Sequence, residues 1–264
     1  MAIMLVLSWN LFHGRSLPPA GRSLYDEFAA KLSQWSWDVA LLQEVPPWWP
    51  QRLADELEVE QRYALTSRNS LLALRRALAE RRPELLESNG GGCNAILSRA
   101  PIAEHGTLRL RRWPERRVAQ LARLGDGTCV VNLHASTRPA RARQELERLW
   151  PHALAWAGAD RLILGGDLNV RTPARAPATI VHAAASGVDH VFARGLAPCT
   201  ASGSASGAPG AVEQPSRVVL LGGRRVELSD HAPLLTRLCA REPASCKTRG
   251  RCSARVGEFR AACG

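Results

Sequence analysis

The side chains able to do chemistry in this chain come as single residues and short blocks: Asn10, Glu44, Asn132 with His134, Asp167 with Asn169, Asp189, and Asp230 with His231. Carboxylates and amides are hard oxygen ligands, suited to a divalent cation that keeps several waters. Two histidines add nitrogens that exchange protons near neutrality. Together such a set suits hydrolysis of a phosphate ester by water activated beside a divalent cation. Each member also has a purely structural explanation. Asn10 reads as a turn residue, Glu44 as a surface charge before prolines, His134 as a satisfied core histidine, and Asp230-His231 as a turn or helix cap. What favours chemistry is repetition, because each block stands where a short apolar run ends.

The clearest of these runs is LILGGDLNV, 162–170. An apolar stretch closed by two glycines reads as a buried strand leaving a sheet, and period two places Asp167 and Asn169 on one face of an extended chain. Similar strands are expected at 3–9, 39–42, 94–98, 188–193 and 233–238. Runs 117–124 and 128–134 flank Gly125-Asp126-Gly127 and form a hairpin; 217–221 and 224–228 form another around Gly222-Gly223. Helical spacing predicts helices over 21–35, a short one around Leu53 and Leu57, one over 69–88 with Leu71, Leu74, Leu78 and Leu85 inward, and one over 141–156. Pro83 interrupts the third, and Pro151 should kink or split the last. Hairpins exclude a purely parallel sheet, so the pattern is mixed α/β with two packed sheets. Residues 201–210 are a low-complexity loop, and 241–264 are basic, polar and poor in large apolar residues, a tail outside a catalytic domain of residues 1–240.

The formal net charge of +11 is almost all arginine, since Lys31 and Lys247 are the only lysines. Arginine suits bidentate phosphate recognition, which makes nucleic acid a candidate partner, although a bias toward Arg, Ala and Gly accounts for part of the excess. Seven cysteines, odd in number and without CxxC spacing, do not read as a disulfide framework. Cys239, Cys246, Cys252 and Cys263 match no familiar zinc spacing. The apolar start, MAIMLVLSWN, lacks the parts of a signal peptide, and no run is long enough to span a membrane. A soluble, cytoplasmic monomer is expected.

The order WN (9–10), LQE (42–44), NAILSR (94–99), VNLH (131–134), GGDLN (165–169), DHVF (189–192) and LSDHAP (228–233) resembles the endonuclease/exonuclease/phosphatase superfamily over about residues 3–238. The resemblance implies a four-layered α/β sandwich, two mixed β-sheets face to face with helices outside. It also implies Mg²⁺, with Mn²⁺ as a substitute, held by Glu44, Asn10 and Asp230. His231 would be the general base, oriented by Asp189; Asp167 and Asn169 would position the nucleophile and bind the phosphoryl group. His134 would donate to phosphate or protonate the leaving oxygen. The NxH block is like the deoxyribonuclease-I and sphingomyelinase branches; abasic-site endonucleases typically carry a tyrosine there.

Asn132 and Arg117 are taken as substrate contacts, with Arg116 an equal candidate beside Arg117. His190 should point away from the site. Trp48 and Trp49 read as core caps ahead of stacking platforms. The expected activity is hydrolysis of a phosphodiester, nuclease-like. The competing readings are a phosphomonoesterase or phospholipase, and a non-catalytic polyanion-binding module. Substrate choice should lie in the loops 69–92 and 198–216.

Overall fold

Alternation at period two decides this architecture. In the strand that contains Trp9, Val6 faces one core while Leu7 and Trp9 face another; Val39 and Leu41 alternate in the same way with Ala40 and Leu42. A strand buried on both faces needs a layer on each side, and both are present. The structure, a computed structural model, describes residues 3–66, 71–81, 92–113, 115–199 and 212–240.

The first half of the chain contains β1 (Ile3–Asn10), a 3-10 turn at Phe12–Gly14, β2 (Ser16–Leu17), α1 (Tyr25–Gln34), β3 (Val39–Val45), α2 (Trp49–Leu57), β4 (Glu60–Thr66), α3 (Leu72–Arg81), β5 (Gly92–Ser98) and β6 (Ile102–Arg111). Next come β7 (Arg117–Leu124), β8 (Cys129–Leu133), α4 (Pro139–Ala157), β9 (Leu162–Asp167), β10 (Val181–Ser186) and β11 (Asp189–Arg194). The last strands are β12 (Leu196–Pro198), β13 (Val218–Leu221), β14 (Arg224–Leu228) and β15 (Leu234–Ala240).

Two six-stranded sheets form, in the orders β12-β15-β1-β3-β5-β4 and β10-β11-β9-β8-β7-β6, with a small sheet β13-β14-β2 beside them. Both large sheets are mixed, since β1 pairs with β3 and β8 with β9 in parallel while the other pairs are antiparallel. Val6, Val39, Leu41 and Ile96 of the first sheet meet Ala122, Val130, Ile163 and Val191 of the second in the central core. The outer face of the first sheet is covered by Phe28, Leu32 and Leu53 of α1 and α2. That of the second is covered by Leu146, Leu149 and Trp150 of α4. The expected four-layered sandwich is therefore what the chain builds. Trp49 is buried in the first outer core against Tyr25 and Phe28, with Trp48 packed on the same core, so these two tryptophans are core residues.

The second sheet needs its glycines. Gly166 adopts φ +135°, and a Cβ there would sit 2.0 Å from the Leu133 carbonyl oxygen, so no other residue fits where β9 crosses the end of β8.

Four expectations change. None of the residues of α3 is buried, and Leu71, Leu74 and Leu78 are exposed rather than inward. Ala, Leu, Arg and Glu are strong helix formers, so this helix forms on local propensity without a core face; Leu85 and Pro83 lie outside the described residues. Helix α4 continues through Pro151 without splitting. Pro151 and Glu147, whose carbonyl loses its partner, both face solvent, where water can take the bond. Strands β2, β4, β6, β10 and β12 add to those expected, because they are too short or lack clean alternation. Cys199 and Cys239 form a disulfide with Cα atoms 5.8 Å apart. Antiparallel pairing sets Ala197 opposite Cys239 and so brings Cys199 alongside, a neighbourhood that spacing along the chain cannot reveal. Cys93 and Cys129 are buried free thiols, and the tail 241–264 lies outside the described residues.

Candidate active site

The same alternation delivers the site. On β1, Asn10 follows Val6 and Ser8 onto the face between the sheets; on β8, Asn132 and His134 follow Val130; on β9, Asp167 follows Ile163 and Gly165; on β11, Asp189 precedes Val191 and Ala193. Strand order then places β1, β3, β8, β9 and β11 near the middle of their sheets, with these polar residues at strand ends.

Glu44 is the exception to simple alternation. The β3–β5 register shifts between Leu42 and Val45, and Glu44 has φ +50°. A bulge re-aims a side chain in this way, and the Glu44 carboxylate reaches His13 Nε2 at 3.1 Å and His134 Nε2 at 3.8 Å. Burial first, then the charges of Asp167 and Asp230, push the Glu44 carboxyl up to about 7, although Asn10 donates a hydrogen bond to it.

Asp167 lies at the centre. Its Oδ2 accepts from Asn10 Nδ2 at 3.0 Å and stands 3.5 Å from His134 Nε2 and 3.7 Å from His231 Nε2. Its Oδ1 accepts from the Asn169 backbone N–H at 2.9 Å. Burial raises the Asp167 carboxyl. Asn169, at φ +51°, donates its amide to the Ala135 carbonyl at 3.0 Å, locking the β9 exit onto the loop after His134.

His231 comes from the loop before β15. Ser229 shapes that loop, accepting from the His231 N–H at 3.0 Å and donating to the Asn10 carbonyl at 2.6 Å. The His231 Nδ1–H donates to Asp189 Oδ2 at 2.8 Å, which leaves Nε2 facing Asp167. Burial works to lower the His231 pKa, but the Asp189 bond and the charges of Asp189, Asp167 and Asp230 outweigh it and raise it to about 9. Burial raises Asp189 to about 6 despite the same bond. His134 is the opposite case: burial, then the charges of Arg117, His13 and His231, hold it well below its ordinary value, as a neutral imidazole.

Two expected substrate contacts have other surroundings. Asn132 is fully buried between the sheets; its Oδ1 accepts from Gln43 Nε2 at 2.8 Å, and its Nδ2 donates to the Leu42 and Ala95 carbonyls at 2.9 and 3.0 Å. It joins the sheets and presents no spare group to a substrate, a correction that follows from its bonds to the facing strands β3 and β5. Arg117 is buried, pairs with Glu115, and acts on Asp167 and His134 through its charge; its Nε has no partner among the described residues. His190 turns away as expected, bonded to the Val170 carbonyl and His182. Asp230 is exposed beside the cluster, its charge acting on Glu44, Asp189 and His231.

His13 is the residue that sequence reasoning misses. Its segment, FHG, reads only as a loop, yet a left-handed His13 (φ +54°) returns the ring to Glu44. Gly92 leaves the room, because a Cβ there would lie 3.1 Å from His13 Cε1.

The donor set fits a divalent metal. Glu44 and Asp189 each feel the charges of Asp167 and Asp230; Asp189 Oδ1 is buried without a donor among the described residues, and ligand atoms of Asp167, Asp189 and His231 lie within 4.8 Å of one another. Oxygen-rich clusters of this kind suit a hard divalent cation.

Known structures share this fold. An endonuclease/exonuclease/phosphatase from Beutenbergia cavernae is 18% identical, with TM-score 0.65, covering 91% of this chain and 72% of the other. Truncated Caenorhabditis elegans TDP2 is 17% identical, with TM-score 0.61, covering 90% and 98%. A Bacteroides thetaiotaomicron mannosyl-6-phosphatase is 15% identical, with TM-score 0.60, covering 89% and 99%. A search of curated proteins by sequence gave no match. The family model described as Endonuclease/Exonuclease/phosphatase family matches residues 7–231, from the middle of β1 to the last site histidine. The chain belongs to the endonuclease/exonuclease/phosphatase family of metal-dependent phosphoester hydrolases.

Proposed function

We propose that the chain hydrolyses a phosphodiester, in the manner of a nuclease, with Mg²⁺ as its cation and Mn²⁺ as a substitute. The observation that carries this reading is His231, tied to Asp189 through Nδ1 at 2.8 Å with Nε2 left toward Asp167 at 3.7 Å. Such a ring is held in one orientation with one nitrogen available for proton transfer.

Glu44, Asn10 and Asp230 would hold the cation, which when bound neutralises phosphoryl charge and offsets the carboxylates that keep His231 protonated. His231 Nε2 takes the proton of the attacking water as the water oxygen bonds to phosphorus and the bond from phosphorus to the leaving oxygen breaks; Asp189 stabilises the resulting imidazolium, and the leaving oxygen takes its proton from solvent. Asp167 accepts a hydrogen bond from the same water and fixes its direction. Asn169 and the neutral His134 bind the phosphoryl oxygens, and Arg117 supports them through its charge. Asn132 keeps the two sheets in register beneath them. Residues 1–240 carry the activity, without need of the tail.

Of compartments, an oxidising one suits the Cys199–Cys239 bridge better than the cytoplasm expected from sequence. Among the described residues no helix is long and apolar enough to cross a membrane.

The test is turnover of bis-p-nitrophenyl phosphate, plasmid DNA, RNA, and mono- and lipid phosphates with Mg²⁺, Mn²⁺ or EDTA. Diester hydrolysis that EDTA stops is the expected result. Turnover of monoesters alone would replace the reading with a phosphatase.

A further inference from the structure

A pocket of about 250 Å³ lies beside the site, lined by Arg111, Glu115, Ser136, Thr137, Arg138 and Arg141. It begins two residues after His134, a span of at most ~7 Å of chain. It is also braced to the catalytic loop, since Ala135 donates its N–H to the Asp167 carbonyl at 2.9 Å and accepts from Asn169.

The pocket is built around a buried carboxylate. Glu145 accepts from the Ser136 N–H at 2.8 Å, from Ser136 Oγ at 2.6 Å and from Arg111 Nε at 2.7 Å, which offsets the charge of Arg111. Glu115 is committed to Arg117. Arg138 and Arg141 have no ion-pair partner among the described residues, so the pocket keeps an uncompensated charge of about two arginines. The same two residues stand at the start of α4, which has no capping side chain and no acidic residue in its first turn, so the positive end of the helix dipole adds to their charge. Pockets for drug-sized ligands run to roughly 300–1,000 Å³, so this one suits a single anionic group.

A second observation says what that group is attached to. Trp113 is 76% exposed, the highest among the large apolar residues described, and it stands between the lining residues Arg111 and Glu115 on the turn joining β6 to β7. An exposed indole on the segment that supplies Arg111 and Glu115 to an arginine pocket offers the pairing used to hold single strands, where bases stack and phosphates are neutralised.

We infer that Arg138, Arg141 and Trp113 form a nucleotide subsite, taking the neighbouring phosphate and a stacked base of a single-stranded nucleic acid whose scissile phosphate lies at His231. The inference rests on the phosphodiester reading and narrows its substrate to a strand.

Fluorescent hexathymidylate binding is measured in EDTA, where nothing turns over, for the wild-type protein, R138A/R141A and W113A. Turnover of bis-p-nitrophenyl phosphate in Mg²⁺ is measured alongside. R138A/R141A should bind the strand at least tenfold more weakly, with the log–log salt slope reduced by about 0.7 for each phosphate no longer neutralised. W113A should weaken binding about tenfold with its salt slope unchanged, as for removal of one stacked base. All three proteins should turn over the small diester equally. Unchanged strand binding in both variants would overturn the subsite. So would binding to anionic phospholipid vesicles that the substitutions abolish while strand binding survives, because the patch would then be a membrane contact. Weakened strand binding in the variants with no diester hydrolysis by wild type would remove the catalytic reading and leave the strand site standing.

Discussion

Asp189 and His231, 42 residues apart in sequence, meet through a 2.8 Å hydrogen bond that fixes which imidazole nitrogen faces the site. The bond joins β11 of one sheet to the loop before β15 of the other, so the orientation of this imidazole depends on the two sheets staying in register. The Asn10–Asp167 bond also crosses from one sheet to the other, so the site is tied to the central core at more than one point.

Asp189→Asn should therefore cost activity without unfolding the protein. An amide can donate to Nδ1 and stabilise the wrong tautomer, so kcat should fall by about 10²–10⁴-fold, the range for general acid–base help. The substitution also removes the bond and charge that raise His231. In metal-free protein its pKa should drop from about 9, read by NMR titration of the imidazole. An unchanged titration would show that Asp189 does not control the ring.

The proposed role of Glu44 as a metal ligand has a pH signature. In metal-free protein its carboxyl is raised to about 7 from an ordinary 4.5, so the folded state binds the extra proton. The sign follows: this stabilising contribution is full below pH 4.5 and lost as pH rises through 7. A cation competes with that proton, so Mg²⁺ should raise Tm more at pH 8 than at pH 5.5. Glu44→Ala should abolish the Mg²⁺ shift, flatten the pH dependence and lower activity by more than ~100-fold, the loss of a direct ligand being no smaller than that of an outer-shell partner. A Mg²⁺ shift that survives the substitution would move the cation to Asp167, Asp189 and His231.

How far the sequence reveals this site depends on how each residue is placed. Asn10, Asp167 and Asp189 are carried on regular strands, so a polar residue at the end of an apolar run, after it for Asn10 and Asp167 and before it for Asp189, points to them directly. His13 and Glu44 reach the site only because each has a left-handed backbone. Glu44 is legible through its LQE block, whereas nothing in FHG distinguishes a ligand-facing histidine from a loop residue. Asn132 illustrates the reverse error. Its block fits the family pattern, but its role depends on Gln43, 89 residues away across the sheet interface. Leu71, Leu74 and Leu78 have core spacing without a core, since periodicity reports a face and not what covers it.

His190 gives the fold an acid limit apart from catalysis. Its Nε2–H donates to the Val170 carbonyl at 2.7 Å, so Nδ1 of the neutral ring must accept from His182 Nε2–H at 3.0 Å. Burial, against the help of that carbonyl, holds His190 at about 4. The unfolded chain binds this proton from about pH 6.5 downward, so stability is full above 6.5 and lost as pH falls through 4, by on the order of 3 kcal/mol. Urea midpoints between pH 7 and 4 should show this decline, and His190→Asn should flatten it. An equally steep decline in the variant would assign the acid limit to other groups.

His134 poses the sharpest chemical question, because the family pattern allows it to protonate the leaving oxygen or to bind phosphate. Its Nε2 lies 3.5 Å from Asp167 and 3.8 Å from Glu44, a setting that by charge alone would favour a cation. Burial and the positive neighbours Arg117, His13 and His231 win, and the ring is neutral. A neutral imidazole is a weak acid and a good hydrogen-bond donor, so His134 should stabilise phosphoryl charge without giving up a proton. His134→Ala should then lose about 10²–10³-fold in kcat, as for one donor to a developing oxyanion. The loss should be the same for p-nitrophenolate, which needs no protonation, as for an alkoxide leaving group, which does. A smaller loss with p-nitrophenolate would restore the acid role, and would require that substrate binding raise the His134 pKa toward neutrality.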